Sequence, residues 1–377
     1  MTGSGLRICW RRITSARNSF AALSAACELH DIHLQQVNAP SGDVTCYSLN
    51  SVSIRKFADE IKSAECITIA GGPYASACYR ELTAFTDYVV TGEGEFTLPL
   101  LLHNLINGSC DPVPGTATRH SSLPADSTVL LGSYPPFGRI RGYIEISRGC
   151  PFHCGYCQTP SLFGHRMRHR PVDQIAAYAN KLPDARFVTP NAFAYGSDGK
   201  NPEFQKIELL LKRIRTDIYL GTFPSEVRPE FISDRSLELV STYCVNKKIH
   251  FGAQSGSDRV LRLLGRGHSV SDVLAAYDLC RDHGFVPVID IIVGLPIEAP
   301  EDQYLTLDLI KSVVRAGKVH IHQFIPLPGT PLYGKQAAPL IDEVQRSLGS
   351  LALRGKVTGS WCDHQIRFFS SRSNDIP

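Results

Sequence analysis

The chain has 377 residues, 43% of them hydrophobic and 20% charged, enough to bury the cores of about two domains without disulfides. Its formal charge of +3 gives no support for a broad nucleic-acid footprint and leaves room only for a local basic patch. No apolar run approaches the roughly 18 residues of a membrane span, and Met1–Ile13, with Arg7, Arg11 and Arg12, lacks the apolar core of a signal peptide, so a cytoplasmic protein is expected.

Along residues 1–110, short apolar runs at 6–10, 32–37, 44–48, 66–70 and 87–91 read as strands. Helical patterns at 15–30, 53–64, 74–83 and 94–106 separate them. Buried strands alternating with amphipathic helices predict a parallel sheet covered on both faces, a Rossmann-like doubly wound domain. Residues 111–142 are rich in Pro, Gly, Ser and Asp and read as a linker.

Residues 143–335 repeat the alternation. Strands are expected near 143–147, 185–189, 218–222, 248–252, 286–293 and 320–325, with helices near 172–181, 202–214, 229–241, 269–283 and 300–316. Six such units suit a partial (β/α)6 barrel, with chemistry at the C-terminal ends of its strands. A C-terminal extension, 336–377, has helical character near 341–353 and an aromatic, polar ending at Trp361, Cys362, His364, Phe368 and Phe369. It is expected to cap the barrel or to close the fold.

Twelve cysteines in a cytoplasmic chain point to metal binding or catalysis before disulfides. Nine are scattered, as buried cysteines are. Cys150, Cys154 and Cys157 stand as C-x3-C-x2-C directly after the first barrel strand. Three thiolates on one short loop hold three corners of a [4Fe–4S] cubane and leave one iron open to a chelating ligand. The rival is a zinc site completed by His153 or His165. Zinc motifs usually pair two C-x2-C units, and no second pair follows.

This motif, with Tyr156 before its last cysteine, resembles the signature of the radical S-adenosylmethionine (SAM) superfamily. Three later segments resemble that family too: Gly252-Ala-Gln254-Ser255-Gly256 with Arg266-Gly-His268, then Asp290-Ile-Ile-Val-Gly294-Leu-Pro296, then Pro328-Gly329-Thr330-Pro331. The resemblance implies reductive cleavage of SAM to a 5′-deoxyadenosyl radical that abstracts a substrate hydrogen. Candidates to hold SAM are Tyr156, Asn191, Tyr195, Ser225, Glu226, Arg228 and Gln254. One departure stands out. The family's glycine-glycine-glutamate after the second strand is replaced by Thr189-Pro190-Asn191.

In the first block, Gly71-Gly72-Pro73-Tyr74 and Gly92-Glu93-Gly94 follow the fourth and fifth strands, at the edge where such sheets bind ligands. Placed before a radical SAM barrel, these loops resemble the cobalamin-binding domain of the B12-dependent enzymes of that family. Tyr47, Ser48 and Asn50 lie at the same edge. The D-x-H-x-x-G signature that supplies a cobalt-ligating histidine is missing, and His33 is read as structural. The resemblance then implies a lower axial position that is empty, or filled by water or by a side chain such as Tyr74. Cobalamin with radical SAM chemistry implies methyl transfer to an unactivated sp3 carbon.

Three rivals stay open. A methylthiotransferase would carry a second cluster, on Cys9, Cys46 and Cys78. A B12 enzyme of the same family could rearrange a small molecule instead. A non-enzymatic iron–sulfur or zinc protein would merely bind a partner. Family resemblance suggests a peptide or protein substrate, with Cα of a glutamine in methyl-coenzyme M reductase as the specific expectation, and an electron donor as partner. The run His165, Arg166, Arg168, His169, Arg170 is either a solvated support loop or a docking surface for an acidic peptide.

Overall fold

A computed structural model of the protein describes residues 6–361. The chain divides into two compact units, one running through Tyr143 and the other starting at Ile144. Cys362, His364, Phe368 and Phe369 of the expected cap lie outside the described residues.

The first unit runs β1 (Ile8–Arg11), α1 (Arg17–Glu28), β2 (Gln35–Val37), β3 (Val44–Ser48), α2 (Ser53–Lys62) and β4 (Ile67–Gly71). It continues with α3 (Pro73–Ala77), α4 (Tyr79–Leu82), β5 (Tyr88–Val90), α5 (Gly94–Asn107) and β6 (Thr116–Ala117). Strand order is β2-β1-β3-β4-β5-β6, parallel except for β6, which pairs antiparallel with β5. The strand alternation buries Trp10, Phe20, Cys46 and Leu102 in one core layer and Tyr47, Phe57, Ile61 and Val89 in the other. Each such side chain contributes about 1.5–3 kcal/mol. This is the doubly wound Rossmann-like sheet expected from the sequence. Crossing from β2 to β3 on opposite sides of β1 creates a switch point, where ligands of such sheets bind.

Two details differ from the sequence reading. The helix expected over 74–83 breaks at Cys78, whose φ of −117° and ψ of 31° leave the helical range. The stretch read as a linker packs on this unit: Val113, Val129, Leu131 and Tyr134 are buried, and Thr116–Ala117 forms the edge strand.

The second unit runs β7 (Ile144–Glu145), β8 (Ser147–Arg148), α6 (Thr159–Phe163), β9 (Arg168–His169), α7 (Val172–Ala179), β10 (Asp184–Val188), α8 (Phe204–Arg213) and β11 (Asp217–Tyr219). There follow α9 (Asp234–Tyr243), β12 (Lys248–Gln254), α10 (Asp258–Leu263), α11 (Val270–Asp282), β13 (Val286–Val293), α12 (Pro300–Val313), β14 (Lys318–Gln323), α13 (Asp342–Leu353) and β15 (Val357–Ser360). Local signals set these starts. Ser269 and Asp272 cap α11 reciprocally, and Pro300 opens α12.

Strands β7, β10 and β11 form one parallel sheet, and β12 to β15 another. Val227, in the segment after β11, makes a parallel bridge to Phe251 of β12. The result is a partial barrel wall with one strand more than the six expected. The extra strand, β15, is a short Val-Thr-Gly-Ser run whose sequence carries no apolar alternation. Along β12 to β14, the fully buried Ile249, Phe251, Ile289, Ile291, Val319 and Ile321 alternate with His250, Gly252, Asp290, His320 and His322. One face of the wall therefore packs apolar side chains and the other carries polar ones.

Candidate active site

The loop bearing Cys150, Cys154 and Cys157 is enclosed by a small hairpin in which β8 pairs antiparallel with β9. Gly149 (φ 84°) has room for no side chain beneath the Arg166 carbonyl. The Cys150 amide donates to Gly164 O at 3.2 Å, and Cys157 N to Cys154 O at 3.0 Å. Gly155 is pinned on both sides, donating to Leu264 O at 2.8 Å and accepting from Leu332 N at 3.1 Å. Burial pushes the Cys150 thiol up, and its neighbours Cys157 and Cys154 add to the shift. Among the described residues, no group of three His, Cys, Asp or Glu side chains is placed to hold a single metal ion.

Two guanidinium groups flank Cys154. Arg228 Nη1 lies 3.8 Å from its Sγ, and Arg266 Nη1 lies 3.9 Å from it. Arg228 stacks 3.5 Å over the Phe152 ring and donates to Glu230 Oε1 at 2.6 Å. Arg266 donates to the Tyr156 hydroxyl at 3.0 Å and to Gly252 O at 2.6 Å. Gly252 and Gln254 bracket a bulge in β12. Gln254 holds a φ of 71°, a left-handed conformation that costs a non-glycine residue about 1–3 kcal/mol. A Cβ on Gly252 would collide with the Gln254 amide. The glycine is there to admit that side chain.

The second unit also holds buried polar atoms with no partner among the described residues, among them Asn191 Oδ1 and Nδ2, Arg228 Nη2, Arg266 Nε, Asp290 Oδ2 and Gln323 Oε1. Asn191 follows β10, Arg228 follows β11, Arg266 follows α10, and Asp290 and Gln323 lie within β13 and β14. An unpaired buried polar atom costs about 1–3 kcal/mol, so these residues are candidates to contact a polar ligand. Glu226 and Asp290 repel each other. Burial, then the Glu226 charge, lifts Asp290 to about 8, while burial raises Glu226.

In the first unit, three strand ends meet at one edge. Leu49 N donates to Gly71 O at 2.7 Å, and Tyr74 N to Leu49 O at 3.0 Å. Ser76 Oγ bridges Gly72 O at 3.0 Å and Gly92 N at 2.9 Å. Gly72 (φ 96°) would put a Cβ within 2.9 Å of the Leu49 backbone, whereas Gly92 (φ 70°) faces open space.

Residues 144–310 match the sequence profile of the Radical SAM superfamily. The second unit carries a radical SAM domain. A threonylcarbamoyladenosine tRNA methylthiotransferase of Thermotoga maritima is 32% identical over 204 residues, 51% of this chain and 45% of that protein. The chain thus spans less than half the length of that relative. A tRNA-2-methylthio-N(6)-dimethylallyladenosine synthase of Anaplasma phagocytophilum is 26% identical over 95% of this chain and 83% of its own. In fold, the chain is similar to the radical SAM methyltransferase TsrM of Kitasatospora setae (TM-score 0.66, 16% identity, covering 86% of this chain and 75% of that one). It is also similar to the cobalamin-dependent SAM radical enzyme OxsB (TM-score 0.63, 15% identity, 94% and 56% covered).

A radical SAM domain holds a [4Fe–4S] cluster and SAM, and the residues fit both. Cys150, Cys154 and Cys157 share one short loop, and Arg228 and Arg266, each with an unpartnered nitrogen, reach Cys154. Of the residues expected to hold SAM, Tyr156 and Arg228 stand at the cysteine loop, Gln254 at the β12 bulge, and Asn191 and Glu226 in the loops after β10 and β11. The hydroxyls of Tyr195 and Ser225 have protein partners. Tyr195 is buried, its hydroxyl donating to Arg170 O at 2.8 Å, and Ser225 Oγ closes its own turn onto Thr222 O at 3.0 Å. Sequence reasoning named no role for Asp290 and Gln323, or for Arg266. The signal for Asp290 is a charged residue inside an otherwise apolar strand run, Val286–Val293.

The basic run splits. His165 and Arg166 are exposed, whereas Arg170 is fully buried and donates to Glu145 O at 2.9 Å. At the first unit's edge, the Tyr47 side chain is buried in the core layer that holds Phe57 and Ile61 of α2, so only its backbone reaches the edge. Asn50 is occupied structurally, its Oδ1 accepting from Ser53 N at 2.8 Å at the start of α2. Ser48 Oγ lies beneath Gly72. Pro73 opens α3, Gly94 opens α5, and Tyr74 donates to Glu81 at 2.9 Å. Glu93 accepts from Val129 N at 3.2 Å. His33 is exposed just ahead of β2. Cys9 and Cys46 lie inside strands, buried, and Cys78 sits between α3 and α4. No helix among the described residues is long and apolar enough to cross a membrane.

Proposed function

We propose that the protein is a cobalamin-dependent radical SAM C-methyltransferase, a cytoplasmic enzyme that methylates an unactivated sp3 carbon of a peptide or protein. The observation that carries this reading is the loop that groups Cys150, Cys154 and Cys157, with the Arg228 and Arg266 guanidinium groups both beside the Cys154 thiol. When bound, the cluster and SAM supply a carbon-centred radical, and cobalamin supplies the methyl group. The chain's own residues bind and orient. Arg228 Nη2 and Arg266 Nε present cationic donors suited to a carboxylate, and Asn191 offers a donor and an acceptor. Asp290 and Glu226 offer acceptors suited to hydroxyl groups. The apolar face of the wall, fully buried, keeps these positions fixed.

The first unit supports cobalamin through the glycine edge. Gly72 permits close approach of two loops, Gly92 leaves open space, and Ser76 ties them together. The similarity of fold to TsrM and OxsB, whose described structures include bound cobalamin, extends over most of this chain. Anaerobic reconstitution followed by iron, sulfide and cobalt counting tests the reading. About four iron and one cobalt per chain are expected.

A second reading rests on the Anaplasma relative, which aligns with 95% of this chain: a methylthiotransferase with a further iron–sulfur cluster. Roughly eight iron and no cobalt would establish it in place of the first. The described positions of Cys9, Cys46 and Cys78, two within strands and one between helices, favour the cobalamin reading. For the substrate, we propose a glutamine Cα of methyl-coenzyme M reductase, with an external electron donor. Incubating that peptide with SAM and reductant should add the mass of one methylene; an unchanged peptide would remove this substrate.

A further inference from the structure

The charges around the cluster loop do more than neutralise thiolates. Arg228 is 6% exposed, and a guanidinium stays cationic at every accessible pH. Its position is fixed on three sides. The Phe152 ring, from the cysteine loop itself, lies 3.5 Å below it. Nε donates to Glu230 Oε1 at 2.6 Å, and Nη1 faces Cys154 Sγ at 3.8 Å.

Its partner opposes it. Glu230 stands 2.6 Å from Arg228 and 3.5 Å from His268 Nδ1. Burial alone would raise its pKa, but hydrogen bonding to His268 and the Arg228 charge hold it down to about 2. A carboxylate is thus placed where it subtracts from the field that Arg228 exerts on Cys154. Arg266 also reaches Cys154, but it is committed to Gly252 O and Tyr156, and so to the shape of the SAM seat. Arg228 has no such commitment to β12.

We infer that Arg228 and Glu230 form an electrostatic pair that sets the reduction potential of the cluster through Cys154. Arg228 raises the potential by favouring the more negative reduced cluster, and Glu230 offsets that effect. The inference rests on the radical SAM reading of this loop. Arg228 acts here as a positioning residue with an electrostatic role, separate from any contact of its Nη2 with SAM.

The test is potentiometric titration of the reconstituted protein, without SAM, following the reduced-cluster electron paramagnetic resonance signal. Arg228→Gln should shift the midpoint downward and Glu230→Gln upward. The double variant should lie close to wild type, because the two charges leave together. Arg228→Lys keeps the charge and should shift the midpoint less than Arg228→Gln. Lys and the Glu230 variant also keep the test open if Arg228→Gln fails to fold. Equal midpoints across variants that assemble a full cluster would overturn the inference alone. A wild-type protein that binds no cluster, by iron count and by spectrum, would overturn the radical SAM reading and this inference with it.

Discussion

Arg266 donates to the Gly252 carbonyl at 2.6 Å while its other terminal nitrogen reaches the Tyr156 hydroxyl at 3.0 Å. A single side chain therefore joins the bulge of β12 to the cysteine loop. The bulge is where Gln254 is held at a φ of 71°, so the cation braces the strained strand end against the cluster. Burial works against a charge in this position, and the nearby Tyr156 and Cys154 groups raise its pKa again.

Replacing Arg266 by Lys should separate those two functions. Lysine keeps the charge but lacks the planar fork that spans Gly252 and Tyr156. Loss of one charge-assisted hydrogen bond costs about 1.5–3 kcal/mol, so SAM affinity should fall by roughly tenfold or more. Anaerobic calorimetry on the cluster-loaded protein measures this. Unchanged affinity would mean that the bulge holds its shape without Arg266.

The strain at Gln254 has its own signature. Glycine adopts a φ of 71° freely, so Gln254→Gly should raise the unfolding free energy by up to about 1 kcal/mol. The same change should weaken SAM binding, because the amide is lost. Urea unfolding and SAM titration read the two effects on one sample. A variant that is both less stable and unaffected in binding would show that the amide supports the fold rather than the ligand.

At the first unit's edge, two glycines with positive φ should respond differently. A methyl group on Gly72 meets the Leu49 backbone within 2.9 Å, while on Gly92 it meets nothing within 4 Å. Gly92→Ala therefore incurs only the left-handed backbone cost of about 1 kcal/mol. Gly72→Ala adds a steric clash that forces β3 and β4 loops apart, typically about 1–3 kcal/mol more. Thermal unfolding should rank them in that order. Cobalt retention after reconstitution should fall for Gly72→Ala first; equal retention in both would argue that the loop spacing is not what cobalamin reads.

Much of this was legible in the sequence because periodicity carries fold. Apolar runs marked nearly every barrel strand, and the C-x3-C-x2-C spacing marked the loop that β8 and β9 enclose. What escaped was local and polar. β15 is too short and too polar to show alternation, and it becomes a strand only because β14 offers an edge. Tyr195 and Ser225 stand where ligand contacts are expected, yet their hydroxyls are used by neighbouring carbonyls, which sequence spacing does not reveal. Asp290 was visible only as part of a motif. Its burial beside Glu226, separated by some sixty residues in the chain, is a tertiary fact.

That burial yields a prediction about pH. Burial first, then the Glu226 charge, lifts the Asp290 carboxyl from 3.8 to about 8. A group whose pKa is raised on folding contributes stability that is fully present below its unfolded value and is lost as pH rises through its folded value. The Asp290 contribution should therefore decline from about pH 4 to pH 8. His250 runs the other way: burial, then Lys248 and His320, lowers it from 6.5 to about 4. Its contribution is present above 6.5 and lost as pH falls through about 4. Asparagine at position 290 stays neutral throughout, so the melting temperature of Asp290→Asn relative to wild type should rise steadily across this range. His250→Gln should instead gain on wild type only toward acid pH. A constant difference between Asp290→Asn and wild type at every pH would mean that the carboxyl keeps its ordinary pKa in the folded protein, and that its surroundings are wetter than its unpartnered Oδ2 implies.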